Sequence, residues 1–171
     1  FIRGEYGSGK TFLVARALEI ARARGFVTSH VVISSSTPLY RLKGIYQQIC
    51  ANLRTNEEEH ALKTIVDNWL FAIEERILSV TPAEGSDAAL EAATEREIEA
   101  ALSAISEMNS SLAAALRTYY RANNAGDFHL AQAALGWLSA EPNIGRDFKQ
   151  KAAIRGDIDD TIAFIFLRGL V

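Results

Sequence analysis

Apolar residues recur at helical spacing along most of this chain, and a β-branched stretch near its start interrupts them. From Lys10 to Arg24 the apolar positions Phe12, Leu13, Ala17, Ile20 and Ala21 fall three and four apart, the spacing of one helix face. Gly25 supplies a C-terminal stop for that helix. Phe1-Ile2-Arg3 reads as the end of a buried strand. Phe26-Val27-Thr28-Ser29-His30-Val31-Val32-Ile33, rich in β-branched residues, reads as a second strand. Strand, loop, helix, strand is one βαβ unit, so the expected fold class is α/β with parallel strands.

Beyond the loop Ser34-Ser35-Ser36-Thr37-Pro38 the period is helical almost throughout. The pattern predicts helices at about 39–54, 57–79, 88–107, 110–124 and 127–139. Thr37 or a neighbour is placed to cap the first of these, with Pro38 in its first turn. Thr81 to Asp87, with Pro82 and Gly85, is the clearest internal linker. Glu141-Pro142-Asn143-Ile144-Gly145 breaks the helical run, and a short helix is expected at about 146–153. The apolar run Thr161 to Leu167 fits a helix or a buried strand. Asp159 and Asp160 stand where a helix needs caps, which favours the helix. The expected organisation is a nucleotide-binding βαβ part at 1–38, a large helical insert at 39–155, and a return segment at 156–171 toward a further strand.

Composition changes this picture little. A length of 171 residues suits one domain. The net charge of −3 argues against direct nucleic-acid binding, which calls for a clustered basic face. The densest basic spot, Arg22 and Arg24, lies at a helix end that favours positive charge anyway. Cys50 is the single cysteine; it shares an apolar helical face with Ile45, Ile49 and Leu53 and reads as a core residue. One cysteine fits a reducing compartment, and the cytoplasm is the expected location. His30, His60 and His129 show no metal-ligand spacing. No apolar run is long enough to span a bilayer. Phe1 and Ile2 run straight into Arg3 and Gly4, so the chain reads as opening inside a strand of a longer protein.

The chemistry concentrates in one loop. Gly4-Glu5-Tyr6-Gly7-Ser8-Gly9-Lys10-Thr11 has glycines at its ends and a Lys-Thr pair at the helix start, the P-loop or Walker A pattern. Glycines permit backbone angles closed to other residues, so successive N–H groups can turn inward and form a nest for phosphate oxygens. The positive end of the following helix, including Phe12, adds to the same point. Lys10 is the expected catalytic cation on the β- and γ-phosphates, and Thr11 the expected Mg²⁺ ligand. The expected cofactors are ATP and Mg²⁺. Glu5 has no evident water to activate, so a packing or partner role is expected for it. Tyr6 stays open between covering the nucleotide and packing. The second acidic motif of such enzymes, an apolar strand ending in Asp, is not found. Ile65-Val66-Asp67 is short and lies in a helical pattern, and Asp159-Asp160 precede their apolar run.

The stretch Phe1 to Thr11 resembles the P-loop of a bacterial ATP-binding family that includes ATPases associated with BREX phage-defence systems. The similarity continues in Thr37-Pro38-Leu39-Tyr40-Arg41-Leu42 and Ile45-Tyr46, then in Leu135-Gly136-Trp137-Leu138 and Gly156-Asp157-Ile158-Asp159-Asp160. The resemblance implies an ATPase domain related to AAA+ and STAND proteins, with the acidic motif shortly after the position of Leu170. It carries over the phosphate-loop positions only.

Two functions follow as expectations. The first is an ATPase switch or motor in which ATP binding repositions the helical insert for a protein partner or a second copy; hydrolysis would need the acidic motif. The second is a nucleotide-sensing scaffold with little turnover. A small-molecule kinase shares the loop, but no arginine-bearing lid is seen.

Overall fold

Helices account for nearly all the regular structure. The computed structural model describes residues 2–80 and 87–169. Among them it holds α1 (Lys10–Ala23), α2 (Leu42–Ala51), α3 (Leu62–Val80), α4 (Asp87–Met108), α5 (Ser110–Asn124), α6 (Phe128–Leu138), α7 (Arg146–Lys151) and α8 (Asp160–Gly169).

The core lies in the second half of the chain. Helix α5 packs on both α4 and α6, α3 packs on α4, and α2 packs on α8. Small residues make the α5–α6 approach close: Ala113, Ala115 and Ala122 on one side, Ala131 and Ala134 on the other, all buried. Trp137, Tyr119, Ile98, Leu102 and Ile158 fill the centre and are the largest side chains excluded from water. Each large aromatic there has a partner for its polar atom, which removes the penalty of burying it. Trp137 Nε1 donates to the Gly156 carbonyl at 2.9 Å, Tyr46 Oη to the Leu138 carbonyl at 2.6 Å, and Tyr119 Oη to Asp67.

Caps set several helix starts. Asn109 Oδ1 accepts from the Leu112 N–H at 2.9 Å, opening α5, and Asp127 Oδ1 from the Leu130 N–H at 3.0 Å, opening α6. Asp159 Oδ1 does the same for the Ile162 N–H at 2.8 Å, so the run after it is helix α8. Asp160, in the first turn of α8, accepts from the Lys43 N–H of α2 at 2.7 Å. Tyr46, Leu138, Gly156 and Asp160, from three stretches far apart in sequence, thus join at one corner of the helical body.

The α/β expectation is overturned: the described residues form no sheet, and the parallel βαβ unit is absent from them. Phe1 lies outside the described residues; Ile2 and Arg3 are irregular. Of the segment Phe26–Ile33, only Thr28 pairs, in an isolated antiparallel bridge to Arg54. The reason is physical. A β-branched run states a local preference, but a strand exists only when another segment takes its ladder bonds and one of its faces. Here Val27, Val32 and Ile33 stay 47%, 68% and 51% exposed. A smaller correction concerns α2. It starts at Leu42 with Arg41 as its N-cap, so Thr37 does not cap it and Pro38 lies outside its first turn. The linker read at 81–87 lies outside the described residues except for Asp87, where α4 begins.

Candidate functional site

Residues 4–9 form an irregular loop that closes on itself and feeds directly into α1. Two glycines make the turn possible. Gly7 and Gly9 have φ of 81° and 79°, in the left-handed region where a Cβ is strained. Gly4 is needed for space: a Cβ there would lie 2.6 Å from Ser8 Oγ. The Ser8 N–H donates to the Glu5 carbonyl at 3.2 Å, which tightens the turn.

Lys10 completes the ring. Its ammonium donates to the Gly4 carbonyl at 2.8 Å, to the Glu5 carbonyl, and to Ser8 Oγ at 3.3 Å. The cation therefore sits over the loop, held by backbone oxygens. Gly9 is the N-cap of α1, and no side chain caps that helix. The first-turn N–H groups of a helix have no intrahelical partner, and with the helix dipole they favour an anion. The chain brings together at one place an uncapped 14-residue helix, two left-handed glycines and an ammonium.

The remaining loop residues face water. Tyr6 is fully exposed and Phe12 is 75% exposed; both are open to a ligand or a partner. Glu5 contributes its carbonyl to Lys10, and its side chain is exposed. Thr11 lines a cleft of about 330 Å³ with Ala15, Leu18, Arg22, Thr28, His30, Asn52 and Arg54. On α1 these are Thr11, Ala15, Leu18 and Arg22, spaced four, three and four apart, a single helical stripe. That stripe is legible in the sequence. Thr28, His30, Asn52 and Arg54 come from other segments, and no sequence spacing announces them.

The loop and its helix are contiguous. The strand expected before the loop is absent among the described residues, so the loop stands on α1 alone, and α1 contributes no buried residue. Asp67, weighed as part of an acidic motif, is taken by Tyr119 and Lys63 on the helical body. Among the described residues no three His, Cys, Asp or Glu side chains cluster as a metal site. A magnesium ion held here would take its ligands from Thr11, phosphate oxygens and water. No described helix is long and apolar enough to cross a membrane.

No curated protein and no solved structure matches the chain. A family model does, over its whole length: residues 1–171 match the BREX system ATP-binding protein BrxC/D family. The uncapped helix behind a glycine loop and lysine is the part of the structure suited to an anionic nucleotide, and the chain belongs to the BREX system ATP-binding protein family.

Proposed function

We propose that the loop Gly4–Thr11 binds the phosphates of Mg-ATP, and that this binding works an ATPase switch or motor of a bacterial phage-defence system. The observation that carries the reading is the position of Lys10. Its ammonium already lies over the loop on the Gly4 and Glu5 carbonyls, beside the uncapped start of α1. Phosphate oxygens entering the loop would accept from Lys10 and from the first-turn N–H groups together, replacing neutral carbonyl partners by charged ones. Hydrogen bonds to charged groups are roughly twice as strong as neutral ones. Bound Mg²⁺ would supply charge neutralisation across the β- and γ-phosphates, with the Thr11 hydroxyl as its protein ligand. Membership of an ATP-binding family supports the choice of nucleotide. The helical body, α2 to α8, is then the part whose position a protein partner or a second copy reads.

Calorimetry with Mg-ATP on the parent chain and on Lys10→Ala tests this. The variant is expected to bind at least about tenfold more weakly, the scale of one lost charge-assisted hydrogen bond. Equal affinity in both, or no binding by the parent, would reject the loop as the phosphate site.

A further inference from the structure

The cleft beside α1 is lined by two arginines and by no acidic residue. Arg22 Nη1 donates to Thr28 Oγ1 at 3.2 Å. Thr28 is buried, and its N–H and carbonyl pair with the carbonyl and N–H of Arg54 at 2.9 and 2.8 Å. These contacts bring Arg22 and Arg54, from segments 32 residues apart in sequence, to one buried threonine. His30 and the Asn52 amide line the same cleft, and none of its eight lining residues is acidic. Arg22 forms no ion pair among the described residues; its one side-chain contact is to a neutral hydroxyl. A guanidinium has five donors in a planar fork and no acceptor, so most of Arg22's capacity is unspent. Arg54 pairs with Glu59 at 3.0 Å, but both side chains are exposed, and such a surface pair is weak and easily exchanged. Position at the C-terminal end of α1 explains why a cation is tolerated at Arg22. It does not explain why a second arginine, a histidine and an amide gather around the same space.

We propose that this cleft is a second anion site, distinct from the phosphate loop, and that it takes a small phosphate-bearing ligand. Each arginine fork can take two oxygens of a tetrahedral phosphate, and Thr28 and Asn52 add neutral hydrogen-bonding groups. A volume of about 330 Å³ admits a diphosphate group or a small phosphorylated molecule. The arginine end lies roughly 16 Å along α1 from Thr11, by the rise of a helix, so its ligand is not the phosphate held at the loop. Of the cleft's lining residues only Thr11 belongs to the loop.

The test separates this site from the nucleotide reading. Inorganic pyrophosphate, without magnesium, is titrated into the Lys10→Ala chain, which lacks the loop cation, and followed by calorimetry and amide NMR. One equivalent is expected to bind, with shifts at Thr28, His30 and Arg54. Adding Arg22→Ala or Arg54→Ala is expected to weaken it at least about tenfold. Arg54→Ala keeps the main-chain pairing with Thr28, so it reports on charge even if Arg22→Ala disturbs the fold. Displacement of pyrophosphate by ADP would identify the source as a second nucleotide; failure to displace it would identify a free phosphate compound. No binding by the Lys10→Ala chain, or binding indifferent to both arginine substitutions, would overturn the proposal. Neither result would touch the loop reading.

Discussion

Burial of one thiol illustrates how a single residue couples this fold to solution conditions. Cys50 lies on the inner face of α2, and removal from water pushes its thiol from 9.0 up to about 11. Burial, with Cys50 as neighbour, pushes the Tyr46 phenol up as well. A folded-state value above the unfolded one means that the unfolded chain loses its proton first. The contribution is therefore fully present below pH 9 and disappears as pH rises toward 11, a loss of up to about 3 kcal/mol from this thiol. Urea midpoints at pH 8 and pH 10.5 are expected to fall further for the parent than for Cys50→Ala, and parallel falls would show that the thiol is not the cause. The sequence placed Cys50 correctly, because an apolar face at helical spacing is a local signal. It had no means of pairing Arg22 with Thr28 and Arg54, because that meeting depends on where the chain returns after α2.

Helices in this chain differ in what holds them. Helices α5 and α6 have side-chain caps; α5 buries one face and α6 is buried all round from Ala134 to Leu138, whereas α1 has neither a side-chain cap nor a buried residue. Replacing Asn109 by Ala leaves the Leu112 N–H without its partner, and replacing Asp127 by Ala does the same for Leu130. Each substitution is expected to cost about 1 kcal/mol, or roughly 2–4 °C in Tm for a chain of this size. Asn109 and Asp127 lie at opposite ends of the 15-residue α5, roughly 22 Å apart by the rise of a helix, so the double variant should come close to the sum. A thermal melt unchanged by either substitution would mean that packing alone places these helix starts. The same contrast explains the loop. Leaving the N-terminus of α1 uncapped is costly for a structural helix and useful for one whose cap is a ligand.

Stability is unevenly distributed over the whole molecule. The core joins α2 through α8, with Trp137 and Tyr119 at its centre, while α1 and the segment 26–33 carry exposed Phe12, Leu13, Ile20, Val32 and Ile33. Amide exchange is expected to be slowest in α5 and α6 and fast along α1, with Mg-ATP slowing residues 7–13 first. Uniform protection across all eight helices would contradict this picture. Hydrophobic spacing and acidic caps were enough to determine most helical elements, and the glycine-lysine pattern marked the candidate loop; the family came from resemblance of whole stretches of sequence. Spacing, caps and loop pattern are each written in residues close together in sequence: three or four apart on a helix face, or adjacent in a turn. Sheet formation was decided only by the tertiary structure. Phe26–Ile33 has strand-forming residues, but pairing depends on a distant segment, and among the described residues only Arg54 arrives, for a single bridge. The corner joining α2, α6 and α8 and the cationic cleft beside Thr11 were settled the same way, by contacts between residues tens of positions apart. Local preference sets what a segment can become; burial and long-range hydrogen bonding set which of those outcomes has a partner.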